Sequence, residues 1–457
     1  MDRNSVTGII LMTLLTLGYF YFFPPTPPEP SQSGPTPTEQ VDTNLPESQQ
    51  ATTPDAQPVL AGLDSTQADS VRQASLRDKY SDMWRLVEGT EEKVSIVTDK
   101  LTVELNTKGG TFDAVYLNEH KTFDSLPLPV LAPDPNNEFF FEFAYNNRAM
   151  RTDELFFVPS ATSMTVNGED VQTLTMRADV GEGKFIEQVY TFTGDQYDVG
   201  YSVRMQGLGE GLGKASYYDI RWKSFLPKTE LSLKNMRQKT SVVYRIGKDI
   251  EKMSPTDDTE KDKLGALVKW VSFKSQFFSQ IFISDQTFRS GSITMRTPDS
   301  EEINRVMEAK LVVDVKDQDN IENDFMMYFG PNEYTTLSSY DLELEEEMDL
   351  GWWLIGWINK GTTYIFKFME KYISNYGLII ILLAVFIRLL MLPLSYKSYI
   401  SMAKMRIING TPEIKALDTK YKDDPQKLQM AKMAIYKEMG ASMFGGCLPM
   451  LLSYPFL

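Results

Sequence analysis

The chain has 457 residues, a net charge of −16, one histidine and one cysteine. It is too long for a single compact core, so more than one unit is expected, and its acidic balance argues against a general nucleic-acid binder, with no specific DNA partner expected. His120 alone leaves almost nothing for a zinc site or histidine-based catalysis, and Cys447 alone forms no intramolecular disulfide.

The first apolar run, VTGIILMTLLTLGYFYFF at residues 6–23, follows Arg3. It is either a cleaved signal peptide or a retained anchor. The missing small-x-small cleavage site and the aromatic end, suited to an interfacial belt, favour an anchor over residues 1–23. From Pro24 to Ser70 there is no Lys or Arg, and Pro, Thr, Ser, Gln and Glu dominate. Residues 24–80 are therefore read as a disordered tether, unable to bury enough apolar surface to fold. Arg3 before the anchor, with only acids after it, places the N-terminus in the cytoplasm.

Residues 81–345 read as strands. LTVELN at 101–106 and VGYSVRM at 199–205 alternate apolar with polar, and Gly109-Gly110 and Gly194-Asp195 supply turns. Many strands without regular helices between them predict an all-β sandwich. One stretch, KLGALVKWVSFKSQFFSQIF at 263–282, looks helical or mixed. His120, in NEHKTF, reads as a surface histidine in a polar loop. No spacing singles out a catalytic group or a metal site, and no cofactor is expected.

After the acidic DLELEEEMDL, residues 351–372 place apolar side chains at helical spacing and carry Trp352, Trp353 and Trp357. This pattern predicts an amphipathic helix lying on a membrane; the alternative is a core helix of the preceding domain. Residues 375–395 then form an apolar run long enough to span a bilayer, with Arg388 as its one charge. Lys397, Lys404 and Arg406 follow it and place its C-terminal end in the cytoplasm. The stretch Ser395–Gly440 has nine Lys/Arg against five Asp/Glu, a net of +4, leaving −20 for residues 1–394. Basic and acidic parts are thus expected in different compartments. Asp424 before Pro425 marks a helix start, so residues 396–440 read as a helical hairpin. Its methionines are either adaptable contact surface or the hairpin's own seam, and its lysines favour anionic head groups or RNA. Residues 441–457 are apolar and read as the start of a further membrane helix at which the sequence stops.

Taken in order, the Trp-rich helix, FIRLLMLPLS, SMAKMR, GGCLP and, earlier, YFGP at 328–331 resemble the YidC/Oxa/Alb family of membrane-protein insertases, in its diderm-bacterial form. The resemblance spans the whole chain. It implies a multi-domain membrane protein of the bacterial inner membrane: a supersandwich-like periplasmic β-domain followed by an α-helical insertase core, here incomplete. It implies a non-enzymatic insertase and chaperone whose core helices enclose a hydrophilic groove. On this chain the groove would contain Arg388, Ala384 and Ser453. Ala384 and Ser453 stand where the family often has polar residues. Lys404, Met405, Arg406, Met430 and Met433 would dock incoming chains. The implied partners are nascent inner-membrane proteins, the Sec translocon, ribosomes and targeting factors, and the lipid bilayer. An arginine in a watery groove would attract acidic residues in a substrate's translocating tail; the alternative is pairing with an acid on another helix. A rival reading is a membrane-anchored carbohydrate-binding or scaffold protein, since the family's sandwich resembles sugar mutarotases, whose chemistry typically uses histidines.

Overall fold

In the computed structural model, which describes residues 65–213, 216–256, 259–351, 353–421 and 424–439, the alternating stretch Leu101–Asn106 is a strand. Its Leu101, Val103 and Leu105 are buried and the residues between them are half-buried. The anchor, most of the tether and residues 441–457 lie outside the described residues.

The strands begin with β1 (Lys93–Val97), β2 (Leu101–Asn106), β3 (Thr111–Lys121), β4 (Pro127–Leu131), β5 (Glu138–Tyr145), β6 (Arg148–Arg151) and β7 (Val158–Pro159). They continue with β8 (Ser163–Thr165), β9 (Val171–Gly181), β10 (Lys184–Thr193), β11 (Asp198–Gln206), β12 (Tyr217–Pro227), β13 (Ser241–Ile246) and β14 (Asp249–Lys252). The last are β15 (Thr259–Leu264), β16 (Val268–Lys274), β17 (Phe278–Phe288), β18 (Ser290–Arg296), β19 (Ile303–Asp314) and β20 (Asn320–Pro331). They make three sheets, ordered β4-β3-β2-β1-β8, β14-β13-β16-β17-β20-β11-β10-β9-β7 and β15-β18-β19-β12-β5-β6. Pairing is antiparallel, as between β11 and β20, apart from β1 with β8.

The core is aromatic. Trp222 of β12 stacks on Phe273 of β16 at 3.6 Å, and Phe282 meets Phe139, Phe288 and Phe325. Ring edges against ring faces add to the area that these side chains remove from water. One polar side chain lies among them with its bonds made: the Gln188 amide donates to the Gly109 carbonyl at 2.7 Å, and the Tyr201 hydroxyl donates to Gln188 Oε1 at 2.7 Å. The Gly109-Gly110 turn has positive φ at both residues, and a Cβ on Gly110 would sit 2.7 Å from the Gln188 amide, so glycine is required there.

Segment 263–282 contains β16 and the start of β17, not a helix. Beyond β20 the chain turns back through α3 (Tyr334–Ser338), counted after α1 (Ser65–Tyr80) and α2 (Leu233–Lys239), and a 3-10 turn at Leu344–Glu347. Leu337 and Leu344 pack on Val243, Trp270, Ile281 and Ile283. The sheet is therefore covered on both faces, and its strands lose the alternation that identifies a half-buried strand. The covering segment is held by polar bonds: Trp270 Nε1 and an Arg245 guanidinium nitrogen donate to the Leu342 carbonyl, at 3.0 and 3.1 Å. Glu347, fully buried, accepts from the hydroxyls of Ser272 at 2.6 Å and Ser279 at 2.9 Å. Burial raises its carboxyl above the usual range, opposed by those hydroxyls and by Lys274.

Two further expectations change. Ser65–Tyr80, assigned to the tether, is helix α1. Its order comes from contacts rather than from its polar sequence: Leu76 and Tyr80 pack at the sandwich core, and Asp78 pairs with Arg148 at 3.2 Å. His120 is the second-last residue of strand β3 instead of lying in a loop. It is half-buried edge-on to Phe278 at 5.4 Å, and burial lowers its pKa.

Candidate functional site

The helical part starts with α4 (Trp353–Glu370), whose two faces differ. One turns to the sandwich: Lys360 pairs with Glu346 at 3.6 Å, and Lys367 pairs with Glu333, just past β20, and with Glu370 at 3.3 Å. Trp357 is 75% exposed, and Phe368 is exposed on the same side of the helix. That is the division expected of a helix lying at a lipid surface. Trp353 opens the helix, and Trp352 lies outside the described residues.

Helix α5 (Tyr376–Asn409) follows, with Asn375 Oδ1 accepting from the Leu378 N–H at 3.1 Å as its N-cap. The Tyr376 hydroxyl donates to Glu370 at 2.7 Å, and its ring stacks on Phe366. Glu333, Thr362, Thr363, Phe366, Lys367, Glu370 and Tyr376 line an open recess of about 410 Å³ where β20, α4 and α5 meet. Sequence reading missed this junction, because Glu333 and Lys367 are far apart in the chain and neither sits in a motif.

Within α5, Tyr376–Pro393 is the one described stretch apolar and long enough to cross a membrane, and only 6% of it is buried. Arg388 lies in it, exposed, with no ion pair among the described residues. Ala384 is one turn away on the same face, also exposed. Ser453 lies outside the described residues. The helix was expected to end at Ser395, but it runs on through Pro393 to Asn409. The change from apolar to basic residues does not interrupt the helix.

The first arm of the expected hairpin is thus split. Residues to Asn409 belong to α5; α6 (Pro412–Lys420) and α7 (Pro425–Glu438) follow. Asp424 caps α7, its Oδ1 accepting from the Lys427 N–H at 3.1 Å. Ile408, Ile414 and Tyr436 form a small core, with Met405 packed against it. Lys432 pairs with Asp418 at 2.6 Å, tying α7 to α6. Of the expected docking residues, Lys404, Arg406, Met430 and Met433 are exposed, and Met405 serves the seam.

Comparison with known proteins bears on both parts. Residues 93–364 match the YidC periplasmic domain, and residues 368–457 match the 60Kd inner membrane protein family. The membrane protein insertase YidC of Amoebophilus asiaticus is 30% identical over the whole of this chain and 74% of its own length. The chain belongs to the YidC family. A second YidC relative, the insertase of Parabacteroides distasonis, is 28% identical over the whole chain and 73% of its own length. Among solved structures, a putative aldose 1-epimerase from Escherichia coli K12 shows a distant likeness, with 10% identity and a TM-score of 0.34, covering 52% of this chain and 98% of that one. The YidC match joins a β-sandwich and a helix fit for a membrane in one chain, the architecture expected from the sequence.

Proposed function

We propose that this chain is a membrane protein insertase and chaperone of the bacterial inner membrane. In this reading α5 crosses the bilayer, the sandwich stands in the periplasm, and α6 and α7 lie in the cytoplasm. The N-terminus, on an anchor of residues 1–23, is also cytoplasmic. Substrates are nascent inner-membrane proteins, received alone or with the Sec translocon. Ribosomes and targeting factors meet the exposed Lys404, Arg406, Met430 and Met433.

The observation that carries the reading is Arg388, an exposed cation inside Tyr376–Pro393. A central arginine costs about 2.5–3.5 kcal/mol on translocon scales, and that cost falls where it faces a watery groove. There it attracts acidic residues of a substrate tail part-way through the bilayer. The substrate's apolar helix supplies the free energy by moving into lipid, so no bond need be made or broken.

The test is insertion in cells depleted of their own insertase. Arg388→Lys keeps the charge and loses the fork of donors, so it should retain substantial insertion of substrates with acidic tails. Arg388→Ala should lose it, and neutralising the acids of the tail should shrink the difference, because both changes remove one attraction. Full additivity would eliminate direct attraction. Topology is tested separately: a cysteine at Ser48 should be labelled from the periplasm and one at Ser398 should not.

A further inference from the structure

The rim of the sandwich at which the chain passes to α4 and α5 carries an apolar set that neither the core nor the insertase reading uses. Thr122–Leu126 is a tight turn between β3 and β4, with the Thr122 N–H donating to the Leu126 carbonyl at 3.0 Å. It presents Phe123 and Leu126 to solvent, 47% and 58% exposed. The Phe123 N–H donates to the Thr229 carbonyl at 3.1 Å, which brings the loop after β12 alongside. That loop presents Leu231, 76% exposed. The turn between β16 and β17 adds Phe277, 50% exposed, and its carbonyl accepts from the Asn332 N–H at 2.7 Å.

Asn332 locates this rim. The next residue, Glu333, pairs with Lys367 of α4 and lines the recess that includes Tyr376, the first residue of α5. The apolar set and the start of the membrane-crossing stretch thus share one end of the sandwich. Scattered apolar side chains on a surface are ordinary; several on adjoining loops mark an interaction site. Aspartates and glutamates stand among the lysines of these loops, with Asp124 and Glu230 beside Lys121 and Lys228. No single-sign field is present to select an anionic partner.

We propose that this rim rests on the bilayer, with Phe123, Leu126, Leu231 and Phe277 immersed in its interfacial zone. The proposal rests on the reading that α5 crosses the membrane with its Tyr376 end on the sandwich side. The occupant is the lipid–water interface itself. Continuity with α4, which exposes Trp357 and Phe368, argues for it, and the mixed charge makes the contact apolar rather than electrostatic.

The experiment uses the full chain with Cys447→Ser, reconstituted into phosphatidylcholine vesicles with a nitroxide at the lipid headgroup. Single cysteines replace Leu126, Leu231 or Phe277 and carry a fluorophore. All three are exposed turn or loop positions, so the core is untouched. Asp317, exposed at the far end of β20, is the control on the sandwich, and Leu390, on the opposite side of α5 from Arg388, is the control within α5. Rim labels should lose most of their emission to the lipid-borne nitroxide and resist aqueous iodide, equally at low and high salt. The Asp317 label should respond only to iodide. Rim labels quenched by iodide and not by lipid, beside a lipid-quenched Leu390 label, would overturn the proposal and leave the crossing of α5 standing. A Leu390 label open to iodide would overturn both. Release of the rim labels by salt would overturn the apolar contact.

Discussion

Strand β17 and the first half of α5 are both apolar runs, yet one is hidden and the other bare. Phe282 and Ile281 of β17 are fully buried, covered by the opposing sheet on one face and by the α3 segment on the other. Leu389 and Ile381 of α5 are about 60% exposed, and only 6% of Tyr376–Pro393 is buried. Hydrophobicity alone does not say what covers a surface. In β17 the cover is the protein's own, and its strands satisfy their backbone through neighbours. In α5 the backbone of the helix interior, apart from the bond lost at Pro393, is met within the helix, the condition a segment must meet before lipid can be its cover.

The comparison breaks most visibly by truncation. Phe282→Ala should cost about 3–5 kcal/mol in chemical unfolding of the sandwich. Leu389→Ala, equally apolar but bare, should shift that transition by less than about 0.5 kcal/mol. Equal losses would mean that α5 belongs to the sandwich core.

Glu347 sharpens it next. Glu347→Ala removes the acceptor of the buried Ser272 hydroxyl and should destabilise by about 1–3 kcal/mol. Its pH dependence has a definite sign. The folded carboxyl holds its proton more tightly than the unfolded one, so its contribution is full at low pH and lost as pH rises through the raised value. Glu347→Gln stays neutral, so its thermal midpoint should gain on the parent's as pH rises. His120 acts oppositely: its pKa is lowered, so its contribution is present above the ordinary imidazole range and lost as pH falls. His120→Gln should therefore flatten the acid limb, and insertion should survive. A constant gap across pH in either case would refute the assignment.

Smaller effects come from the polar bonds. Tyr201→Phe deletes one bond to Gln188 and should cost about 1 kcal/mol. Lys367→Ala breaks partly exposed pairs and should change sandwich stability by less than about 1 kcal/mol. Its effect should appear instead as faster proteolysis near Gly351, where α4 loses its tie to Glu333. Unchanged cleavage would mean that the pair does not seat the helix.

Much of this was legible in residues 101–106, where one face is buried, and at Asp424, whose capping bond forms as the Asp-Pro pair implied. Segment 263–282 was not, because two-sided burial erases the period that separates strand from helix. Helix α1 was not, because its order comes from distant partners. Arg388 was legible because a charge in an apolar run stands out locally. The Glu333–Lys367–Glu370–Tyr376 junction was not, since it exists only once β20, α4 and α5 meet.

The unbroken length of α5 has a mechanical consequence. Its 34 residues make a rod of about 51 Å against a hydrocarbon layer of about 30 Å, so in the proposed crossing roughly 20 Å stands clear of the lipid. A tilt of about 20°, ordinary for a membrane helix, would sweep the far tip sideways by roughly 17 Å. Ile408, near that tip, is locked to Ile414 and Tyr436, so the swing would carry α6 and α7 with it. Pro393, lacking an amide hydrogen, leaves the Leu389 carbonyl without its usual donor and makes the boundary of the apolar stretch the rod's most compliant point. The helix is then a lever pivoting at its Tyr376 end, and small rotations at the sandwich end become large displacements at the other.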